Sequence, residues 1–153
     1  MKLVKMNQDE YDFWIRRSIK NYAKGKVKAN NLTEKEAKRA AKNDFLRLLP
    51  DGLKSKDNFL YSMREQKVIV GYIWFCIKGS AKNRKAFLCD IIIEKSSRSK
   101  GLGRSAMVLL EGKVKKLGGK EIGLHVFGFN QKAVRLYQSL GYQTTDLIMA
   151  KPL

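Results

Sequence analysis

The sequence predicts a single α/β domain over residues 1–153, with a mixed, mostly antiparallel central sheet of six or seven strands and about four flanking helices. A chain of 153 residues is long enough for one domain with its own core and too short for a second. Apolar residues recur at helical spacing in some segments and form short continuous runs in others. These segments follow one another as β-α-α-β-β-β-α-β-α-β, an order that is typical of a mixed sheet covered by helices.

The N-terminal part of the chain predicts a short strand followed by a long helix. The strand covers residues 3–6. Apolar side chains recur on one helical face over residues 8–28. They are Tyr11, Trp14, Ile15, Ile19 and Tyr22. Asn30 and Asn31 then predict the end of this helix.

A capping pattern marks the beginning of a second helix. Glu36 follows Thr33 at a spacing that lets the threonine side chain cap the Glu36 amide while the glutamate reaches back. The helix is predicted to run to about Leu48 and to stop before Pro50 and Gly52.

A hairpin and a further strand are predicted next. Residues 59–63 and 68–77 are expected to pair antiparallel around a turn at residues 64–67. Gly71 lies inside the second of these strands and indicates a bulge or a close backbone neighbour. Residues 87–93 form another apolar run and predict a third strand of this sheet region.

The C-terminal part predicts two helices that alternate with two strands. An apolar stripe predicts a helix over residues 102–117, followed by a strand at 122–127. Residues 133–140 predict a short helix, and residues 142–149 predict a last strand. Because residues 144–150 of that strand allow sheet pairing between two copies, the chain is expected to be a monomer or a homodimer.

The net charge of +18 results from 32 Lys and Arg residues against 14 Asp and Glu residues. Lysines are spread along the whole chain, which is typical of a solvated surface. The same charge attracts anions such as nucleotide cofactors, acidic proteins and RNA. It repels polyamines and other cationic molecules, which disfavours them as substrates.

The two cysteines, Cys76 and Cys89, each lie in an apolar run and form no CxxC pair. We expect buried structural thiols in a reducing compartment. With one histidine in the chain, no metal site is expected. No apolar run is long enough to span a membrane, and the first residues become charged too soon for a signal peptide. A soluble, cytoplasmic protein is therefore expected.

The most informative segment spans residues 98–105 and reads RSKGLGRS. Its two glycines let the backbone approach a ligand, and the N-terminus of the following helix adds a partial positive charge. With the three cationic side chains of this segment, the pattern predicts a site for a phosphate or pyrophosphate. Residues 101–106 also fit the dinucleotide pattern G-x-G-x-x-G/A, but residues 94–100 separate them from the strand, and too little chain remains for a Rossmann domain.

Two motifs follow one another in the second half of the chain. The first is Arg98-x-x-Gly101-x-Gly103. The second comprises Asn130, Ala133, Leu136-Tyr137 and Gly141-Tyr142, preceded by Leu124-x-Val126. Together, in this order and at this spacing, they resemble the GNAT superfamily of N-acetyltransferases. The N-terminal helices, with Tyr22-Ala23-x-Gly25 and Leu48-Leu49-Pro50, are similar more narrowly to the YycN-type bacterial acetyltransferases.

This resemblance implies acetyl-CoA (coenzyme A) as co-substrate, no metal, and direct attack of a primary amine on the thioester without an acyl-enzyme. It implies that the amides of residues 99–105 hold the pyrophosphate and that the backbone of residues 91–93 pairs with the pantetheine arm. An N–H near Ile93 would polarise the thioester carbonyl. The implied cofactor-binding residues are Ile91, Ile92, Ile93, Arg98, Ser99, Lys100, Gly101, Leu102, Gly103, Arg104, Ser105, Asn130, Ala133 and Tyr137.

Tyr137 and Asp90 are the candidate catalytic residues. The resemblance implies that Tyr137 donates its proton to the departing thiolate, although its place on an apolar stripe is also typical of a core residue. Asp90 is an isolated carboxylate in an apolar strand and is the first candidate for the general base. Its alternative role is that of a buried carboxylate paired with a lysine or a backbone amide. Glu94, His125 and water are the other candidates for the base.

An RNA- or ribosome-associated binding module on an acetyltransferase scaffold is the alternative function. The charge of +18 favours this alternative. The basic residues are not interleaved with aromatic residues as in RNA-binding modules, and this disfavours it. The motifs do not specify the acceptor amine, which is expected to bind in a cleft lined by the N-terminal helices and the hairpin.

Overall fold

A five-stranded sheet forms the centre of the computed structural model, which describes residues 1–30, 32–151 and 153. The strands, adjacent in this order, are β1 (Lys2–Lys5), β2 (Asn58–Glu65), β3 (Val68–Lys78), β4 (Lys85–Ile93) and β5 (Glu121–Leu124). The first three pairings are antiparallel, and the β4–β5 pairing is parallel. The helices are α1 (Gln8–Asn30), α2 (Glu34–Leu48), α3 (Leu102–Lys116) and α4 (Gln131–Gln138). Short 3-10 turns lie at Gly52–Lys54 and Lys95–Ser97.

The predicted α/β class is confirmed, but the predicted number of strands is wrong. Instead of six or seven, the described residues form five, because residues 142–149 belong to no strand. A strand needs a hydrogen-bonded neighbour, and this segment pairs with none of the described strands. β5 ends at Leu124, three residues before the predicted end. The sequence predicts that the first helix ends at Asn30 and Asn31. Asn31 lies outside the described residues.

Each face of the sheet is covered by its own hydrophobic cluster. α3 and α4 cover one face, and this main cluster includes Ile73, Phe75, Met107 and Leu110. α1 and α2 cover the other face, where the rings of Trp14 and Trp74 meet edge to face with their centroids 5.6 Å apart. Because successive side chains of a strand point to opposite faces, Ile91 and Ile93 join the main cluster, whereas Ile92 joins the second.

The predicted capping box of α2 is confirmed. The Thr33 side chain accepts a hydrogen bond from the Glu36 amide, and the Glu36 carboxylate accepts one from the Thr33 amide. Buried Ala37 and Ala41 pack α2 closely against α1. Among the described residues, no helix is long and apolar enough to cross a membrane.

The strands β3 and β4 each contain a β-bulge. On β3, Ile69 pairs with Arg64 and Gly71 with Met63, so one extra residue lies between them. A second shift leaves Cys89 as the extra residue of β4. The predicted close neighbour of Gly71 is also present, because a Cβ at this position would overlap the carbonyl oxygen of Ile92. Bulges of this kind bend a strand and increase its local twist.

Replacing Gly71 by alanine is expected to destabilise the fold, because the added Cβ would overlap the Ile92 carbonyl oxygen and the Met63 side chain. A backbone oxygen cannot rotate away, so we expect the free energy of unfolding to fall by about 2 kcal/mol or more. Gly112→Ala in α3 is the matched control, since nothing lies within 4 Å of its added Cβ. It should raise stability by up to about 1 kcal/mol. Urea unfolding measures both, and a Gly71→Ala variant as stable as wild type would contradict this close approach.

Candidate active site

β4 and β5 are joined along only part of their length. The parallel pairing covers residues 85–88 of β4 and 121–124 of β5. Within the described residues, residues 89–93 therefore have no strand on that side, and all five keep partial exposure. Beyond β5 the chain turns toward α1, where the ring of Phe127 lies 6.0 Å from that of Tyr22. The sheet thus opens into a split between the two strands.

Backbone groups of β4 point into this split. The Glu94 amide donates to the Val70 carbonyl oxygen at 2.9 Å, on the β3 side of the strand. Because an antiparallel strand alternates the direction of its backbone groups, the amide of Ile92 also faces β3, whereas those of Ile91 and Ile93 face the split. Of the three residues predicted to bind pantetheine, Ile91 and Ile93 therefore face the split. The Ile93 carbonyl oxygen already accepts from Arg98 Nε and the Ile91 amide bonds the Asp90 carboxyl, which leaves the Ile93 N–H and the Ile91 carbonyl oxygen for a ligand.

The turn before α3 presents a row of unpaired amides. Gly101 has φ 75° and Ser99 has φ 64°, so both adopt the left-handed conformation. In the described part of the chain, no backbone carbonyl accepts a hydrogen bond from the amides of residues 99–104. The first paired amide is that of Ser105, which donates to the Gly101 carbonyl oxygen at 3.1 Å. Six consecutive free donors at the beginning of a helix are the arrangement that an anion requires, so this turn is the candidate for the predicted phosphate site.

The side chain of Tyr137 lies in the main cluster, next to the split. It is 8% exposed and belongs to the same cluster as Ile91 and Ile93. Burial raises the pKa of the Tyr137 phenol above its ordinary value of 10.0, and the nearby Asp90 adds to this shift. Tyr142, with its ring centroid 5.8 Å away, has a buried hydroxyl without a partner and a pKa raised to about 12 by burial. The Tyr137 hydroxyl is not sealed off in this way.

Asp90 lies beneath α1 on the opposite side of the split. Its carboxylate accepts hydrogen bonds from Trp14 Nε1 at 2.9 Å and from Ser18 Oγ at 2.7 Å. Burial raises the pKa of this carboxyl, and these bonds, together with one from the Ile91 amide, oppose the shift. The sequence reasoning missed Trp14 and Ser18. Their spacing of four residues shows that both lie on one face of α1. It does not show which strand that face covers.

Comparison with known proteins identifies the family. The sequence profile of the Acetyltransferase (GNAT) family matches residues 27–142. The chain belongs to the GNAT acetyltransferase family. The free strand edge and the free amides described above lie within the matched residues, so the predicted resemblance is confirmed.

Relatives of the GNAT family resemble this chain over its whole length. YycN of Bacillus subtilis, described as an uncharacterized N-acetyltransferase, is 33% identical over 152 residues, which are 99% of this chain and 97% of YycN. YdgE of the same organism is 29% identical over the same shares. The crystal structure of YycN superposes with a TM-score of 0.95 over 99% of this chain and 98% of that chain. A Pyrococcus furiosus structure that is 24% identical has a TM-score of 0.72 over 99% of this chain and 100% of its own, and shows the fold alone.

The three cationic side chains of residues 98–105 differ in whether they already form hydrogen bonds or salt bridges within the protein. Arg98 Nε donates to the Ile93 carbonyl oxygen at 3.0 Å, which ties the loop to the end of β4. Arg104 Nη2 donates to Ser139 Oγ at 2.6 Å, which ties it to the end of α4. Lys100 is exposed and forms no salt bridge with the described residues. Lys100 therefore offers its charge to a ligand without breaking a contact.

Asn130 and Ala133 lie at the beginning of α4, across the split from β4. The Asn130 side chain accepts a hydrogen bond from the Ala133 amide at 3.3 Å and so caps this helix. Ala133 is half-buried against the main cluster. Both residues therefore have structural roles, and their predicted contact with a ligand stays a prediction.

Glu94, at the end of β4, is held by a contact that the sequence did not indicate. Its carboxylate lies 2.8 Å from Arg17 Nη2, and both side chains are partly exposed. The Arg17 guanidinium also lies 5.3 Å from the Phe13 ring centroid and 5.5 Å from that of Tyr72. Glu94 and Arg17 thus form a charged pair at the mouth of the split.

His125 and the two cysteines complete the set of candidates. His125 is exposed, and its ring lies edge to face with that of Phe127, with the ring centroids 5.1 Å apart. The thiols are both free, with Cys76 buried and its Sγ 3.8 Å from that of Cys89. Cys89 keeps partial exposure, so the prediction of two buried thiols is wrong for this residue. Cys89 is the extra residue of the β4 bulge and packs against the second cluster.

Proposed function

We propose that this protein transfers the acetyl group of acetyl-CoA to a primary amine by direct attack, without an acyl-enzyme. The observation that carries the proposal is the row of free amides at residues 99–104 beside the free edge of β4. A diphosphate needs several donors within a few ångströms, and a pantetheine arm with two amide groups needs an unpaired strand edge. The membership of the chain in the GNAT family supports this combination.

The residues of the split fit this co-substrate. The amides of residues 99–104 and the unengaged Lys100 would bind the diphosphate. The Ile91 carbonyl oxygen, which faces the split, would accept from an amide of the pantetheine arm. Asn130 and Ala133 would line the opposite wall. When bound, acetyl-CoA supplies an acetyl group activated as a thioester. The Ile93 N–H, free of β3, would then donate to the thioester carbonyl oxygen and favour the charge that develops there.

Two side chains would move protons. Tyr137 would donate its phenolic proton to the sulfur that leaves, and its raised pKa keeps that proton in place at neutral pH. Asp90 would accept the proton of the attacking amine, because a carboxyl whose pKa is raised by burial is a stronger base than an exposed one. The two residues approach the split from opposite faces of the sheet, so each reaches a different side of the reacting centre.

The acceptor is proposed to be a primary amine on a neutral or acidic molecule or protein. The net charge of +18 repels polyamines and other cationic acceptors at long range. The RNA-binding alternative rests on the net charge alone, and neither the fold nor the comparisons add support for it.

Lys100→Gln is expected to weaken the binding of acetyl-CoA about tenfold, because it removes an unengaged charge beside the diphosphate site. Lys115→Gln, at the other end of α3, removes the same charge and should change the affinity little. Calorimetric titration measures both variants. S-acetylpantetheine, which lacks the diphosphate, should bind both variants equally.

If Lys100→Gln and Lys115→Gln bind acetyl-CoA with equal affinity, residues 98–105 do not bind the diphosphate. A titration with single-stranded RNA belongs to the same experiment. Tight RNA binding without acetyl-CoA binding would overturn the proposed function in favour of the binding module.

Tyr137→Phe is expected to lower kcat about 100-fold while leaving the KM for acetyl-CoA almost unchanged, because it removes only the proton donor. Tyr142→Phe is the matched control: it deletes a buried hydroxyl without a partner and should leave both kcat and stability unchanged. Release of coenzyme A thiol is followed with a panel of amino acids, short peptides and spermidine as acceptors. If Tyr137→Phe keeps the wild-type kcat, the Tyr137 hydroxyl is not the proton donor and the residue serves only in packing.

Asp90→Asn is expected to remove the acidic limb of the pH–kcat profile. A base acts only when deprotonated, so activity should fall as the pH drops through its pKa, which burial places above the ordinary carboxyl value. His125→Gln, at an exposed position, should keep the wild-type profile. If the acidic limb persists in Asp90→Asn, Asp90 only holds α1 against β4 and another group or water accepts the proton.

A further inference from the structure

The two thiols of the chain form a contact pair across β3 and β4. Sγ of Cys89 lies 3.8 Å from Sγ of Cys76, and both thiols are free. Phe75 and Ile77 belong to the main cluster, so Cys76 between them points to the opposite face of the sheet. Cys89 packs against the second cluster on that same face. The two sulfurs on neighbouring strands are therefore in van der Waals contact, without a bond between them.

The β4 bulge gives one of these thiols freedom to move. β3 pairs with Leu88 and with Asp90, so Cys89 between them has no partner on that strand. Its sulfur can therefore approach Cys76 by a local movement of the bulge, without breaking the strand pairing on either side. A disulfide needs a sulfur–sulfur separation of about 2 Å, so closing this pair takes a shift of about 2 Å.

The surroundings of the pair favour a thiolate that a small oxidant can reach. The hydrogen bond that the Cys89 thiol donates lowers the pKa of the Cys76 thiol to about 6, and the nearby Lys78 adds to this shift. The same bond raises the pKa of Cys89, so the pair releases one proton and retains the other. Cys76 is 6% exposed, whereas Cys89 keeps partial exposure. A thiolate beside a resolving thiol at a partly exposed position is the arrangement of a redox-sensitive pair.

We propose that Cys76 and Cys89 are an oxidation site that hydrogen peroxide converts to a disulfide, and that this disulfide switches off acetyl transfer. The second part rests on the proposed function. In the first step, the thiolate of the pair attacks one peroxide oxygen, the O–O bond breaks, and a sulfenic acid and hydroxide form. The other sulfur then attacks the sulfenic sulfur, the S–O bond breaks, and water leaves with the remaining thiol proton. The hydroxide takes up the proton that the first thiol released, so two electrons from the sulfurs reduce the peroxide to water.

The disulfide would act on the site through Asp90, which follows Cys89 directly in the chain. The Asp90 carboxylate lies 2.9 Å from Trp14 Nε1 and 2.7 Å from Ser18 Oγ. Such hydrogen bonds are lost beyond about 3.5 Å, so a shift of about 1 Å breaks them. Pulling Cys89 toward β3 moves the backbone of Asp90 with it. The oxidised protein would thus hold its proposed base away from its position beneath α1.

Mass spectrometry of the full-length protein tests the oxidation site independently of activity. After treatment with hydrogen peroxide, a peptide map of wild type should show the fragments of Cys76 and Cys89 joined by a disulfide, and dithiothreitol should separate them. Cys76→Ala is the matched variant: its remaining thiol has no partner, so it should form a sulfenic acid that dimedone traps. Treated wild type that carries dimedone on a cysteine and contains no disulfide would overturn the proposal.

The effect on the site is measured on the same samples after desalting. Oxidised wild type should lose about tenfold or more in kcat, with the KM for acetyl-CoA almost unchanged, because the proposed base is displaced. Dithiothreitol should restore kcat, and since it does not reduce methionine sulfoxide, the recovery assigns the loss to the disulfide. The double variant Cys76→Ala/Cys89→Ala has no thiol and should retain its kcat through the same treatment.

Tryptophan emission reports the displacement of Asp90 without an acceptor or acetyl-CoA. Breaking the bond from Trp14 Nε1 should change the emission of oxidised wild type and leave that of the double variant unchanged. A disulfide that forms without a change in kcat or in emission would overturn the switch. If the reduced protein transfers no acetyl group, the proposed function fails, and the peptide map and the emission still decide whether the disulfide forms and displaces Asp90.

Discussion

The functional surface depends on the point at which the pairing of β4 and β5 stops. Had the ladder continued beyond Leu88 and Leu124, the outward backbone groups of Ile91 and Ile93 would be used within the sheet. The contact of Phe127 with Tyr22 holds the chain after β5 on α1 and keeps the ladder open. An open ladder in the middle of a sheet leaves backbone donors and acceptors that need a partner, and a ligand strand provides one. The free amides before α3 follow the end of the same strand, so the two features that would bind acetyl-CoA under the proposed function come from one continuous segment.

A second constraint is the attachment of α1 to β4. Isolated carboxylates are costly beneath a helix, and the donors Trp14 and Ser18 offset this cost for Asp90. One turn toward the N-terminus, Glu10 accepts a hydrogen bond from Ser62 Oγ at 2.7 Å, so the polar contacts continue along the same face of α1. With Glu94 and Arg17 at the other end, α1 cannot shift without breaking charged contacts to the sheet. These contacts fix the position of α1 against β4 on this side of the split.

Local patterns predicted the parts of this molecule that local interactions determine. The capping box at Thr33 and the turn around Gly101 follow from residues a few positions apart, and both are present. The bond between Trp14 and Asp90 joins residues 76 positions apart, and no periodicity encodes such a partner. The predicted strand at residues 142–149 shows the converse, because its residues favour a strand but a strand forms only beside another. Propensity identifies the segment, and the partner decides its conformation.

Tyr137 illustrates why the structural and catalytic interpretations of a residue need not exclude each other. Its apolar stripe predicts a core residue, and its ring does lie in the main cluster. The same burial raises the pKa of its hydroxyl, which makes it a phenol that keeps its proton at neutral pH. Tyr142 is half-buried beside it, and burial raises the pKa of its phenol to about 12, but its hydroxyl is enclosed without a partner. What distinguishes the two tyrosines is therefore the enclosure of the hydroxyl: that of Tyr142 is buried without a partner, whereas that of Tyr137 is not, and the proposed proton transfer depends on this difference.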